Sequence, residues 1–404
     1  MVIGIIGAGA SGMAAALAAS QNENTQVLLF ERQARVGRKL QATGNGRCNL
    51  TNLHADGACY HGAVPEFAQV ALDRFNVQNT LNWFGELGLY TVAEDSGRVY
   101  PYSDQANSVV DVLRFALDRE NIILLSGVEV SKVRKRADGF WIECSNGDSY
   151  SCDKLIIACG GLACTKLGGG MSGYQLLRSF GHRVTKLRPA LVQIKSNWSG
   201  CVALKGVRAN CHASIFHNGE LFADHIGELQ FTEYGLSGPV IFDISRDVCQ
   251  EKGEWVCCLD LLPDMASEDL RLRLNARRSS NLMTDELFTG ILHNRLGRVV
   301  AQSAGIRNGL KIADLREDEI ECAISAAKSL EVALTEPLGM DHAQVTAGGI
   351  CTDEFDSATM ESKLVPGLYA CGEVLDIDGD CGGYNLQWAW SSGRLAGESA
   401  GGAV

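Results

Sequence analysis

Val2–Ser20 reads VIGIIGAGASGMAAALAAS, an apolar run, a glycine-rich turn and a row of small helix formers. Val2 to Ile6 suits a strand buried on both faces. Gly7-Ala8-Gly9-Ala10-Ser11-Gly12 then forms G-x-G-x-x-G, and the following alanines continue as a helix with small residues against a sheet. The next apolar run, Val27 to Phe30, ends at Glu31, nineteen residues beyond Gly12. Strand, turn, helix and closing acid together make the full fingerprint of a dinucleotide site. Gly7 permits the tight turn, Gly9 lets backbone approach a pyrophosphate, and Gly12 lets helix and strand pack closely. The free N–H groups and positive end of the helix meet the phosphates, while Glu31 accepts from ribose hydroxyls.

FAD and NAD both satisfy this fingerprint, and the far end of the chain separates them. Gly367–Gly397 reads GLYACGEVLDIDGDCGGYNLQWAWSSGRLAG. An extended FAD passes beyond the first half of a sheet and needs a second binding segment. A strand ending at Gly372-Glu373 delivers a carboxylate toward ribitol hydroxyls. Gly382, Gly383, Tyr384, Asn385 and Leu386 then open a helix whose positive end faces the pyrimidine edge of a flavin. An NAD enzyme has no use for this arrangement, so noncovalent FAD is expected, with NADH or NADPH as a candidate electron donor.

Five stretches occur in order: GIIGAGASGMAAALAA, ERQARVGRKLQATGNGRCNLTN, QFTEYGLSGPVIFDIS, VTAGGI and TMESKLVPGLYACGEVLDIDGDCGGYNLQWAWSSGRLAG. Together they resemble the FAD-dependent flavoproteins that include aminoacetone oxidase and the dehydro-bile-acid reductases. The resemblance implies a three-part architecture with substrate-side domains inserted into the FAD domain. It places Gly7, Gly9, Ser11, Gly12 and Glu31 on the pyrophosphate and ribose. It also wraps Arg38, Lys39, Asn45, Gly46, Arg47 and Asn49 around the cofactor. Ala10 and Arg32 within these stretches, and Gly160 in the apolar run KLIIACGG, complete the candidate contacts. In their own right, Arg38, Lys39 and Arg47 are suited to neutralise a diphosphate, and Asn45-Gly46 to make a left-handed turn. The N–H and carbonyl of Val128 are candidates to hold adenine. Many flavoproteins carry Asp where Glu373 stands, and relatives carry His where Glu233 follows Phe-Thr.

The remainder reads as α/β: a Rossmann-like FAD domain over 1–190 and 340–404, a barrel-like β-rich domain over 191–262 and 327–339, and a helical cap over 263–326. Helices are expected at Tyr102 to Leu117 and along SEDLRLRLNARRSS, TDELFTGILHNRLGRVVAQSAG and REDEIECAISAAKSL, with short β segments from Ala190 to Leu262. Thirty-six basic residues against 48 acidic ones give a net charge of −12, which disfavours nucleic acid and anionic membranes. Arg271, Arg273, Arg277 and Arg278 are read chiefly as a solvated helix face. Fifteen cysteines, an odd number in a large chain without a leader-like start, read as reduced thiols in the cytoplasm. The C-x4-C pair Cys159 and Cys164 reads as core and turn. The eight histidines make no metal constellation.

The expected chemistry is hydride transfer between flavin N5 and a C–C or C–N bond of a small organic substrate. An amine oxidase using oxygen and a reductase of uracil in ribosomal RNA are the alternatives. Tyr100, Tyr102, Glu233 and Tyr234, beside glycine or proline turns, are the candidate catalytic side chains.

Overall fold

The computed structural model describes residues 1–402, in two compact units. Residues 1–190 and those from 340 onward form the first; Leu191–Gly339 form the second. The first unit is built on five parallel strands: β1 (Val2–Ile6), β2 (Gln26–Glu31), β3 (Ile122–Ser126), β4 (Lys154–Ile157) and β5 (Leu368–Ala370). Their order across the sheet is β5-β4-β1-β2-β3. Ile3, Ile5, Val27, Leu29, Leu155 and Ile156 are fully buried, as strands covered on both faces require. The chain leaves β1 on one side toward β2, and β4 extends the sheet on the other. That change of direction opens a crevice at the carboxyl ends of β1 and β4, where open α/β sheets bind ligands.

Two helices close one face. Helix α1 (Ala10–Ala19) follows β1, and α2 (Tyr384–Gly401) follows the glycine-dense loop after β5. Nine of the ten residues of α1 are buried, so this helix is sandwiched rather than amphipathic. Gly393, Gly397 and Gly401, spaced one turn apart on α2, meet Ser11, Ala15 and Ala19 on α1. A Cβ on Gly393 would overlap the Ser11 carbonyl, and one on Gly397 the Ala15 carbonyl. Glycine is therefore what lets the two backbones touch.

The matched order of these pairs makes the helices parallel. Helix α1 starts one residue before Ser11, and α2 starts nine residues before Gly393. Along the common direction α2 thus reaches eight residues further, about 12 Å at ~1.5 Å per residue. Both tryptophans of α2 anchor it. Trp388 Nε1 donates to the Gly372 carbonyl (3.2 Å) and Trp390 Nε1 to the Leu50 carbonyl (2.9 Å). Burying two indoles removes on the order of 150–250 Å² each from water. Buried Gln387 adds bonds to the Phe75 carbonyl, Thr80 and Ser391, and accepts from Thr51.

The second unit is a six-stranded antiparallel sheet. Its first and last strands join: the Lys195 N–H donates to the Glu336 carbonyl and the Thr335 N–H to the Lys195 carbonyl, both at 2.8 Å. The seam curls the sheet into the expected barrel-like form. Cys211, Ala213, Ile215, Leu229, Phe231, Cys257 and Leu259, alternating along their strands, share one core with the helices Ser267–Ala276, Asn294–Ser303 and Glu317–Lys328.

Several boundaries differ from the sequence reading. Pro239–Val248, taken as β, is a helix with Pro at its first turn and Val240, Ile241, Ile244 and Val248 buried at helical spacing. Its β-branched residues suggested strand, and packing overrode that propensity. The helix expected over Tyr102 to Leu117 begins only at Ala106, because the chain turns after the strand Arg98–Pro101 with Asp104 at φ 56. The long segment from Thr284 is one 3-10 turn over Thr284–Glu286 and an α-helix only over Asn294–Ser303; Gly290, at φ +78, stands between them.

The α1–α2 contact predicts that Gly397→Val destabilises the protein by about 3 kcal/mol and abolishes cofactor retention. Gly85→Ala, where an added Cβ meets nothing within 4 Å, should be neutral or slightly stabilising. Chemical unfolding midpoints compare the two, and equal midpoints would refute close helix contact.

Candidate functional site

The turn after β1 contains three glycines with different duties. Gly7 has φ +106, and a Cβ there would overlap the Ala158 carbonyl. A Cβ on Gly12 would overlap the Gly7 carbonyl. Gly9 has φ −81, ordinary for any residue, and a Cβ there would meet nothing within 4 Å. Neither conformation nor packing within the chain demands glycine at position 9, and the space beside it is free for an approaching ligand. Gly9 is also the N-cap of α1, with no side-chain cap, so the first N–H groups of the helix face open space. Glu31 is held in place beside them: its carboxylate accepts from the Ala8 N–H (3.0 Å) and the Gln33 N–H (2.8 Å). These features fit the diphosphate and ribose of a dinucleotide.

The loop after β2 differs from its expected role in charge. Lys39 Nζ lies 2.6 Å from Glu373 Oε2. Arg47 pairs with Asp104 and with Glu94 (3.0 Å), and its guanidinium lies 3.9 Å from the Tyr100 ring centre. Two of the three cations expected at the diphosphate are thus spent on carboxylates, a consequence of the acidic surplus. Arg38 donates to Gln33 (2.9 Å), and Arg32 to the carbonyls of Gly168 and Gly169. The turn itself is as expected, with Asn45 at φ 57 and Gly46 at φ 85. The Val128 N–H is taken by the Glu31 carbonyl (2.9 Å), which leaves its carbonyl, not its N–H, for adenine. Gly160 is left-handed with open space beside it.

The C-terminal segment meets the first turn directly. A Cβ on Gly372 would lie 2.5 Å from Ser11 Oγ, and Glu373 accepts from the Thr346 N–H (2.9 Å) as well as from Lys39. Both oxygens of Glu373 therefore brace protein elements, a wider role than the ribitol contact expected of it. At the start of α2, Asn385 exchanges hydrogen bonds with Gly379, and the Tyr384 carbonyl accepts from Tyr60 (3.0 Å). Leu386 is half-buried. A Cβ on Gly383 would overlap the Thr51 carbonyl and lie 2.9 Å from Asn49 Oδ1, a buried oxygen with no partner among the described residues. Arg98, not singled out from the sequence, stands here too: its Nε is 3.1 Å from a Cβ built on Gly382.

The four catalytic candidates have unlike settings. Tyr100 is buried, and burial pushes its phenol up. Tyr102 is 77% exposed. In the second unit, Glu233 is tied to Lys205 (2.6 Å) at the surface and Tyr234 donates to Gln193 Oε1 (2.9 Å). Tyr234 also borders an open cavity of about 590 Å³ with Lys195, Ser196, Asn197, Thr335 and Glu336. Cys159 and Cys164 are free thiols, and burial pushes both up, Cys159 to about 12, which disfavours the reactive thiolate.

A family model described as the HI0933-like protein Rossmann domain matches residues 1–399. The chain belongs to this family. It is 40% identical over 404 residues to a 3-dehydro-bile acid delta(4,6)-reductase of Clostridium scindens, covering 98% of each chain. It is 35% identical over 393 residues to a ribosomal RNA dihydrouridine synthase of Escherichia coli, covering 96% of this chain and 95% of that one. Among solved structures, the 3-ketosteroid delta1-dehydrogenase of Sterolibacterium denitrificans shares the fold, with a TM-score of 0.50 at 11% identity, over 100% of this chain and 99% of that one. This HI0933-like protein is an FAD-dependent oxidoreductase. Among its described residues, no helix is long and apolar enough to cross a membrane.

The three glycines give a separable test. Gly9→Ala should keep the unfolding midpoint of the cofactor-free protein and weaken FAD binding at least 30-fold, whereas Gly12→Ala should lower that midpoint outright. Equal loss of stability in both variants would remove the case for a ligand at Gly9.

Proposed function

We propose that the protein reduces a carbon–carbon double bond conjugated to a carbonyl in a small, largely apolar molecule, with NADH or NADPH as electron source. The observation that carries this reading is the pair of parallel helix N-termini, staggered by about 12 Å at ~1.5 Å per residue. The nearer end suits a diphosphate and the farther one the pyrimidine edge of a flavin. When bound, FAD supplies a hydride carrier. The N–H groups at the start of α1 hold the diphosphate, and Glu31 keeps a lone pair on each oxygen for ribose hydroxyls. The start of α2 offers N–H groups and a positive dipole to developing negative charge. Glu373 and Lys39 pin the cofactor loop to the end of β5. Buried Tyr100 stays protonated at neutral pH and serves as a hydrogen-bond donor.

The names of the two relatives support the reaction type, since each describes adding hydrogen across a double bond. The small-molecule class is supported by the helical segment over 263–326, proposed as a cap on a β-rich substrate-side domain. Three of its four clustered arginines are engaged within the chain: Arg271 with Glu268 and Glu321, Arg278 with Glu317 (3.1 Å), and Arg277 with the carbonyls of Glu286 and Thr289, while Arg273 is exposed. The pairing of Arg271 and Arg278 with carboxylates lowers the charge that this cluster offers a polyanion, and with it the gain from counterion release. Fifteen free thiols support a reducing, cytoplasmic setting.

Anaerobic stopped-flow tests the proposal. Protein reduced by NADH or NADPH should be reoxidised by a conjugated steroid enone at least 100-fold faster than by air. Reoxidation by air outpacing every enone would instead favour the oxidase. Salt-sensitive binding of ribosomal RNA that is lost on Arg277→Ala with Arg278→Ala would favour the RNA reading.

A further inference from the structure

We propose that Arg98 is a catalytic residue whose guanidinium receives an oxygen carrying negative charge during the reaction. The inference rests on the FAD reading above. Arg98 lies on the strand Arg98–Pro101, opposite Asn52. It is partly buried, yet its guanidinium has no hydrogen-bond or ion-pair partner among the described residues. The chain carries 48 acidic against 36 basic residues, and neighbouring Arg47 holds two of those carboxylates. A guanidinium that has lost part of its hydration without gaining a counter-charge is destabilising. Such a cation is retained where the charge arrives with a ligand.

Its surroundings point the same way. Gly382 makes room for it, since a Cβ there would stand 3.1 Å from Nε. Asn52 Nδ2 donates to the Gly382 carbonyl (2.8 Å), which fixes the loop beside the start of α2. Asn49 Oδ1, buried and unpartnered, lies at the adjoining Gly383. A cation, a partnerless acceptor and a helix N-terminus thus converge on two glycines without side chains.

The charge has a source in the proposed step. A hydride, carrying two electrons, bonds to the β-carbon of the conjugated carbonyl. The C=C π pair shifts toward the carbonyl, whose oxygen takes the negative charge of an enolate, and a proton from water then bonds to the α-carbon, leaving hydroxide that solvent neutralises. Oxidised cofactor and saturated ketone remain, with NAD(P)H as reductant. Negative charge also resides on the pyrimidine oxygen of the reduced cofactor, and the same guanidinium chemistry serves either oxygen.

The test uses FAD-loaded wild type, Arg98→Met and Arg98→Lys, with two probes. The phenolate of 4-hydroxybenzonitrile mimics an enolate, and sulfite reads positive charge near the ring. If the oxygen is the substrate's, Arg98→Met weakens phenolate binding at least 20-fold, Arg98→Lys by less than 3-fold, and sulfite affinity holds. If it is the cofactor's, sulfite affinity falls at least 10-fold in Arg98→Met and recovers in Arg98→Lys. Changes below 3-fold for both probes, with the flavin spectrum intact, overturn the assignment and leave the proposed function standing. Phenylglyoxal footprinting of wild type provides a measurement independent of the variants. Arg98 should react at least 5-fold faster in cofactor-free protein than in holoenzyme saturated with phenolate, and equal reactivity overturns the proposal.

Discussion

The backbone contact between α1 and α2 is the constraint on which the cofactor crevice depends. Side chains larger than a hydrogen atom at Gly393 and Gly397 would drive the helices apart, because the atoms opposite are carbonyl oxygens of α1. With the helices touching, Gly372 comes against Ser11, and the Trp388 indole bonds the Gly372 carbonyl from behind. One interface therefore sets both the depth of the crevice and the stagger of its two positive ends. Removing a few tenths of an ångström of clearance at position 397 would shift groups on either side of a bound dinucleotide.

Charge is distributed with equal economy. Most cations near the crevice are engaged within the chain: Lys39 with Glu373, Arg47 with Glu94 and Asp104, and Arg32 and Arg38 with carbonyl and amide oxygens. On the proposed reading the diphosphate falls to backbone N–H groups and a helix end, which need no counter-ion and carry no rotamer entropy. Arg98 departs from this pattern, and its position beside the start of α2 is what gives the departure meaning.

The cradle at the first turn was legible in the sequence because its requirements are local: strand, glycine spacing, helix and acid lie within thirty residues. The strand, glycine-dense loop and helix of the second segment were legible for the same reason. Partnerships across the chain were not. Lys39 and Glu373 are 334 residues apart, and nothing in either motif announces that each neutralises the other. The four-residue spacing of Gly393, Gly397 and Gly401 was visible, but only the structure shows α1 opposite it. Pro239–Val248 misled because β-branched residues at helical spacing look like strand until the buried face is known. Arg98 carried no signal at all, since its mark is a missing partner.

The sheet also has a chronology written into it. Its central strand is made first, while β5 and α2 lie more than 360 residues later. The uninterrupted stretch Leu191–Gly339 has its own core and is complete before either is synthesised. During translation the inserted unit can therefore fold while α1, nearly all of whose surface needs covering, still waits for its partner helix. Closure of the coenzyme crevice therefore waits for α2, and until that helix is made the alanine-rich α1 lacks the surface that covers it.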